Sequence, residues 1–386
     1  MASSNDHPLL IFIFILIISF TLGSSFDHQN DFGKWVSWNL ENYRSKSNMV
    51  SIMSSKSESS IVGGGGETAG LDPKLAWAEA NRMRITVSQD GTGDFMTVME
   101  AIASLPYYNK KRRVIIDIKP GVYREKIYIR KGLQFITLMG DSDNPPTITG
   151  NDTASTVAGR DGNPMRTFLS ATVAVDADYF IAVNLKFENT APHVIGSKGG
   201  QAVAMRISGT KAAFYNCSFY GSQDTLYDHR GLHYFSNCFI QGSVDFIFGY
   251  GRSFYDRCTL YSVSPKAASL TAQKRSTASL TSGFSFKDCT VTGSGAGKVY
   301  LGRAWGDFSR VVYSFTYLDR IVTPQGWSDW GKRSRDSRVY YGEYQCSGPG
   351  SNMTGRVTWA HILTDEEAQP FLDTYFISGD SWIVSP

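Results

Sequence analysis

Two short segments, Gly221-Ser222-Gln223-Asp224 and Gly242-Ser243-Val244-Asp245, end in aspartates twenty-one residues apart. The same interval separates Cys217 from Cys238, so each aspartate holds the same place within a repeated unit. If the units are stacked β coils, neighbouring backbones lie about 4.8 Å apart and the two carboxylates face each other. Like charges that close do not both ionise easily. One group keeps a proton while the other is an anion, which supplies an acid and a base at the same pH. Such a pair suits ester hydrolysis without a serine or a metal. The ionised aspartate attacks the ester carbonyl to form an acyl anhydride, the protonated one gives its proton to the departing alkoxide, and the latter then activates water. The amide of Gln223, beside Asp224, can donate to the oxyanion that develops. A plainer reading is that both aspartates cap turns between coils, and spacing alone does not separate the two.

The elements that would position them are short strands. Arg84–Ser88 alternates as a strand, and Asp90, Gly91, Gly93 and Asp94 make a turn after it. Val98, Ala101, Ile102 and Leu105 recur at helical spacing, which predicts a short helix over 97–105. Further β runs follow at 114–118, 126–129, 135–139 and 147–148, with no long helical pattern between them. This leaves a sandwich, a barrel or a coiled solenoid. An internal repeat favours the solenoid: segments starting at Asn184, Asn216, Asn237, Arg257 and Asp288 share a polar residue, an apolar or Cys position, a third residue and an apolar position. Cys217, Cys238, Cys258 and Cys289 occupy one position of this repeat, so they form an inward stack or pair between coils. Both possibilities stay open, and with Cys346 the count of five is odd.

The 386 residues are 42% hydrophobic, enough for a sizeable core, and carry a formal charge of +3. A weak positive balance favours approach to an acidic polymer. No basic run interleaved with aromatics points to nucleic acid. Leu9–Leu22 is an apolar block followed by Gly23, Ser24 and Ser25, the pattern of a secretory leader over 1–25, although no Lys or Arg precedes it. Its length is short for a membrane span. Residues 26–80 read as an extension with a Ser/Gly-rich linker, and the folded domain is expected over 81–386. Asn151, Asn216 and Asn352 begin N-x-[S/T] sites, with Asn216 expected to be too buried for sugar. His193, His229 and His233 are not spaced as a metal set and are expected on loops or at the surface.

From about Ile85 to the C-terminus the sequence resembles the plant pectinesterases. The resemblance is carried by G121-V-Y-R-E125, T167-F-L-S-A-T172, Q201-A-V-A-M-R206, G221-S-Q-D-T-L-Y227, G242-S-V-D-F-I-F-G249, L301-G-R-A-W305 and G348-P-G-S351. Singly these are weak; together and in order they are specific. The resemblance implies a right-handed, single-stranded parallel β-helix with short peripheral helices and loops. It also implies an aspartyl esterase without cofactor or metal, acting on methyl-esterified homogalacturonan in the cell wall. Carried over residue by residue, Asp245 is the nucleophile, Asp224 the proton donor and Gln223 the oxyanion stabiliser. Gln201 assists there or binds substrate, Arg303 holds Asp245 ionised, Trp305 offers a ring face to a galacturonate unit, and Thr167 a hydroxyl. Tyr227 and Phe248 either line the cleft or pack. A monomer, and a proteinaceous inhibitor as partner, are implied by the same likeness, as is membership of the group lacking an inhibitor-like pro-region.

Three departures stand out. Ala304-Trp305-Gly306 replaces a Pro and a later basic or bulky residue, Cys346 replaces Asn, and Lys274 replaces a common Gly. Rival readings are another pectin-acting β-helix enzyme, a lyase or a glycoside hydrolase, and a non-catalytic pectin-binding wall protein on the same fold.

Overall fold

The computed structural model describes residues 70–158, 162–192, 198–294 and 298–386. The apolar block at Leu9–Leu22, the Ser/Gly-rich stretch and His193 lie outside them. Between Leu71 and Ile383 the chain winds as a parallel β-helix, an all-β coil whose three sheets of eleven, eight and eight strands contain only parallel pairings. A separate two-stranded antiparallel hairpin joins Val157–Ala158 to Asn163–Pro164. No helix among the described residues is long and apolar enough to cross a membrane.

Each coil visits the three sheets in turn, and a residue in left-handed backbone makes one of the corners. Asn184, Asn216, Asn237, Arg257 and Asp288, the leading residues of the sequence repeat, have φ between 51° and 55°. Asn and Asp tolerate this conformation better than other non-glycine residues, which explains why they recur there. The next residue turns inward. Cys217, Cys238, Cys258 and Cys289 are buried, and all five cysteines are free thiols, which resolves the alternative left open in favour of a stack without cross-coil bonds. The expectation that Asn216 is buried is corrected. Its corner position places the side chain outside, where Nδ2 donates to Asn184 Oδ1 at 2.8 Å.

The core is a set of columns along the axis. Phe214, Phe235, Tyr255, Phe286 and Tyr313 are paired rung to rung by the strand register. Their successive ring centroids lie 4.7, 4.5, 4.4 and 4.6 Å apart in stacked geometry. Such a contact adds about 0.5–1.5 kcal/mol beyond area burial. His233 belongs to this interior, on the strand Leu232–Ser236, contrary to the loop or surface position expected. It is fully buried, with Nδ1 2.5 Å from Asp228 Oδ1 and Nε2 2.9 Å from the Gly209 carbonyl, and Tyr255 donates to the other Asp228 oxygen. The apolar neighbours of a strand do not reveal a polar residue whose partners come from other coils.

Helix α1, Pro73–Ala80, lies upstream of the start expected near Ala80. Asp72 caps it, Leu75 and Ala78 are buried, and Glu79 pairs with the buried Arg113 at 2.6 Å. Helix α2, Val98–Ala103, opens with a Thr97/Glu100 capping box and buries Val98, Ala101 and Ile102 against the first strands. Glu125 of the G-V-Y-R-E motif accepts from the Val98 and Met99 amides, so that motif fastens the helix to the coil. The strand runs at 114–118, 126–129, 135–139 and 147–148 all appear, with ends within two residues of expectation.

Candidate active site

One sheet carries the candidate residues. Its strands Met205–Ile207, Leu226–Asp228, Ile247–Gly249, Ala268–Gln273 and Val299–Arg303 follow one another as adjacent rungs. Leu226 pairs with Ile247, so the turns preceding these strands stack as well. Three contacts fix that stacking. The Asp224 amide donates to the Val244 carbonyl at 3.0 Å, the Asp245 amide donates to Ser269 O at 2.8 Å, and the Ser222 and Ser243 hydroxyls meet at 2.9 Å. Asp224 and Asp245 thus occupy equivalent turns on neighbouring rungs. Both are in left-handed backbone, with φ of 66° and 49°. The glycines of the two turns are required by space: a Cβ on Gly242 would sit 2.1 Å from Phe246 Cβ.

Both carboxylates are nearly closed to solvent, with 8% and 6% of their surface exposed. Burial pushes Asp224 well above the usual carboxylate range, the adjacent Asp245 charge pushes it further, and Arg303 pulls weakly the other way. Asp245 is also raised by burial, but Arg303 opposes this through hydrogen bonds and charge. The guanidinium grips Asp245 as a fork, with Nε 2.7 Å from Oδ1 and Nη2 on Oδ2. The fork favours the anion on Asp245 and leaves the proton to Asp224. Arg303 comes from two rungs further on, at the end of the strand Val299–Arg303, whose Gly302 pairs with Thr271.

Gln223 and Gln201 are half-buried on successive rungs, tied by the Ala202 amide donating to the Gln223 carbonyl at 3.1 Å. Thr167 lies on the four-residue helix α3, Arg166–Leu169. Its neighbour Phe168 covers the Arg206 guanidinium at 3.8 Å and meets the edge of Tyr227. Tyr227 and Phe248 stack at 4.2 Å in a cluster separate from the main core, with Trp305 against it. Trp305 is 5.6 Å from Tyr250, and its loop is held by Arg335, which donates to the Ala304 and Trp305 carbonyls. Gly306 fits that loop closely, since a Cβ there would be 2.4 Å from the Arg275 carbonyl oxygen.

The sequence reading missed Trp330, whose ring lies 3.7 Å below the Arg303 guanidinium and is 39% exposed. It also missed Phe168 and Tyr250 as parts of the aromatic wall. Their signal was present only as aromatics beside named motifs. His229 lies on a loop, one of the two positions expected for it, but it is half-buried in this wall and contacts Ser208 through Nδ1 at 2.9 Å; burial and the Arg206 and Arg230 charges lower its pKa to about 4. No cluster of His, Cys, Asp or Glu suited to a metal occurs among the described residues.

Comparison with known proteins agrees with this architecture. The pectinesterase family model matches residues 84–380. The probable pectinesterase 49 of Arabidopsis thaliana is 45% identical over 316 residues, covering 82% of this chain and 85% of that protein. The pectin methylesterase from carrot superposes with a TM-score of 0.70 at 34% identity, over 83% of this chain and 97% of the other. A pectin methylesterase solved in complex with a hexasaccharide gives a TM-score of 0.65 at 26% identity, over 78% and 98%.

Proposed function

This chain belongs to the pectinesterase family, and from that premise we propose how it demethylates pectin. It is a carboxylic ester hydrolase whose substrate is methyl-esterified polygalacturonate. The observation that carries the mechanism is the unequal pair: Asp245 forked by Arg303, and Asp224 one rung away with, among the described residues, no such cation on its oxygens.

In the first half-reaction an Asp245 oxygen attacks the ester carbonyl carbon, and the carbonyl electron pair moves to oxygen. The Gln223 amide donates to that oxyanion, assisted by Gln201. Collapse breaks the bond to the methoxy oxygen, which takes the proton of Asp224 and leaves as methanol. The sugar is then joined to Asp245 as an anhydride. In the second half Asp224, now ionised, takes a proton from water as the water oxygen attacks the sugar carbonyl, and Asp245 leaves as carboxylate. The free acid departs, with Asp224 protonated again. Trp305 stacks on a galacturonate ring, and Thr167 contributes a hydroxyl at the cleft rim.

Secretion to the cell wall as a monomer is part of the same proposal, supported by the apolar leader at Leu9–Leu22 and by N-x-[S/T] sites with exposed Asn151 and Asn352. A proteinaceous inhibitor as partner is part of the proposal too, supported by the family likeness. The test is methanol release from methylated pectin measured together with polymer length. Methanol without chain shortening is expected, and Asp245→Ala should abolish it while the circular dichroism spectrum is kept. Activity near the parent level in that variant would remove Asp245 as nucleophile.

A further inference from the structure

Lys274 follows the strand Ala268–Gln273, one rung beyond Ile247–Gly249. Gly249 pairs with Gln273, and the Lys274 amide donates to the Gly249 carbonyl at 2.7 Å, which sets Lys274 level with Tyr250. Its ammonium lies 4.5 Å from the Trp305 ring centroid and 5.4 Å from that of Tyr250, so it stands in the aromatic wall of the cleft. Other cations of this wall are matched: Arg303 by Asp245 and Arg206 by Asp176 at 2.7 Å. Lys274 is half-buried and, among the described residues, forms no ion pair with a carboxylate.

Ring faces attract an ammonium by about 0.5–1 kcal/mol at exposed sites, far less than an anion with hydrogen-bonding oxygens offers. The polymer carries such anions only where it has lost methyl groups, since a methyl ester is neutral and a free galacturonate is charged. The Trp305 loop has no room to supply a cation from its own Gly306, which the Arg275 backbone crowds.

We propose that Lys274 is a specificity-determining residue that binds the free carboxylate of an already demethylated galacturonate unit beside Trp305, and so directs the enzyme to esters neighbouring those it has removed. The substrate named here rests on the esterase reading above. The lysine acts on binding, not on bond making: it places an anionic unit against the ring, while the ester to be cleaved lies at the aspartates.

The test compares binding of a short unmethylated oligogalacturonate and of its fully methyl-esterified counterpart, read by tryptophan fluorescence. Each full-length protein carries Asp224→Asn so that the ester probe is not consumed. Lys274→Gln should weaken the acid probe about tenfold and abolish the salt dependence of its binding. Affinity for the esterified probe should stay within about twofold. Lys274→Arg should restore acid binding. Equal weakening of both probes would reduce Lys274 to a prop for Trp305 and overturn the proposal. So would an unchanged acid affinity, or failure of the Lys274 protein to bind the acid probe at all. Failure of the esterase reading shows elsewhere, as absent methanol release by the protein with Asp224 intact, and leaves the probe comparison standing.

Discussion

Replacing Arg303 by Lys keeps a positive charge near Asp245 and removes the fork. The arginine makes two charge-assisted bonds to that carboxylate and stacks on Trp330 with its centre 3.7 Å from the ring centroid. A lysine ammonium can make one such bond and lacks the flat face. The lost bond to a charged acceptor is worth about 1.5–3 kcal/mol, and the weakened stacking adds about 0.5–1 kcal/mol. In the proposed mechanism Asp245 works as an anion, and burial already raises its pKa against the pull of Arg303. Weakening that pull raises it further, so at low pH a smaller share of the enzyme holds the nucleophile ionised. Arg303→Lys should therefore lower kcat/KM about thirty- to several-hundredfold on the acid limb of the pH profile and move that limb to higher pH. At more alkaline pH most of the loss should be regained. The assay is initial-rate methanol release from one pectin across a pH series. An equal loss at every pH with the limb unmoved would mean that Arg303 positions Asp245 without setting its ionisation.

With Gln223 as the proposed oxyanion donor, Gln223→Ala should lower kcat about 10²–10³-fold with little change in KM; a rise in KM alone would make Gln223 a binding group. Trp305→Ala should chiefly raise KM on polymer, and a collapse of kcat at saturating pectin comparable to that of the Asp245 variant would refute its stacking role. Asp224→Asn tests the raised pKa through stability. Because the folded carboxyl holds its proton above the ordinary aspartate range, the parent loses stability as pH rises through that interval towards the folded value, and asparagine has no proton to lose. The inactive variant should match the parent at acid pH and exceed it on the alkaline side by a margin that grows with pH, seen as a higher Tm. A gap that does not grow with pH would contradict the assignment.

The solenoid was legible because each coil repeats its corner: Asn184, Asn216, Asn237, Arg257 and Asp288 mark left-handed turns, and the following residue faces inward. The equal spacing of Asp224 and Asp245 was legible for the same reason. The grip of Arg303 on Asp245 was implied only by family likeness, since its partner lies 58 residues away and two rungs along the axis. Helix α1 was hidden in a segment whose neighbours read as linker, although Asp72 and Pro73 form an ordinary helix start. His233 and Trp330 were obscure because their partners, Asp228 with Gly209 in one case and Arg303 in the other, are set by strand stacking rather than by local pattern.

The unbridged thiol column has a mechanical consequence. With no covalent tie between turns, each rung is retained by the two that flank it, and disruption should travel inward from the tips like a zip. Asp224 and Asp245 precede the fourth and fifth strands of their eight-stranded sheet and are shielded from fraying, whereas Arg303 ends the seventh and would be released sooner.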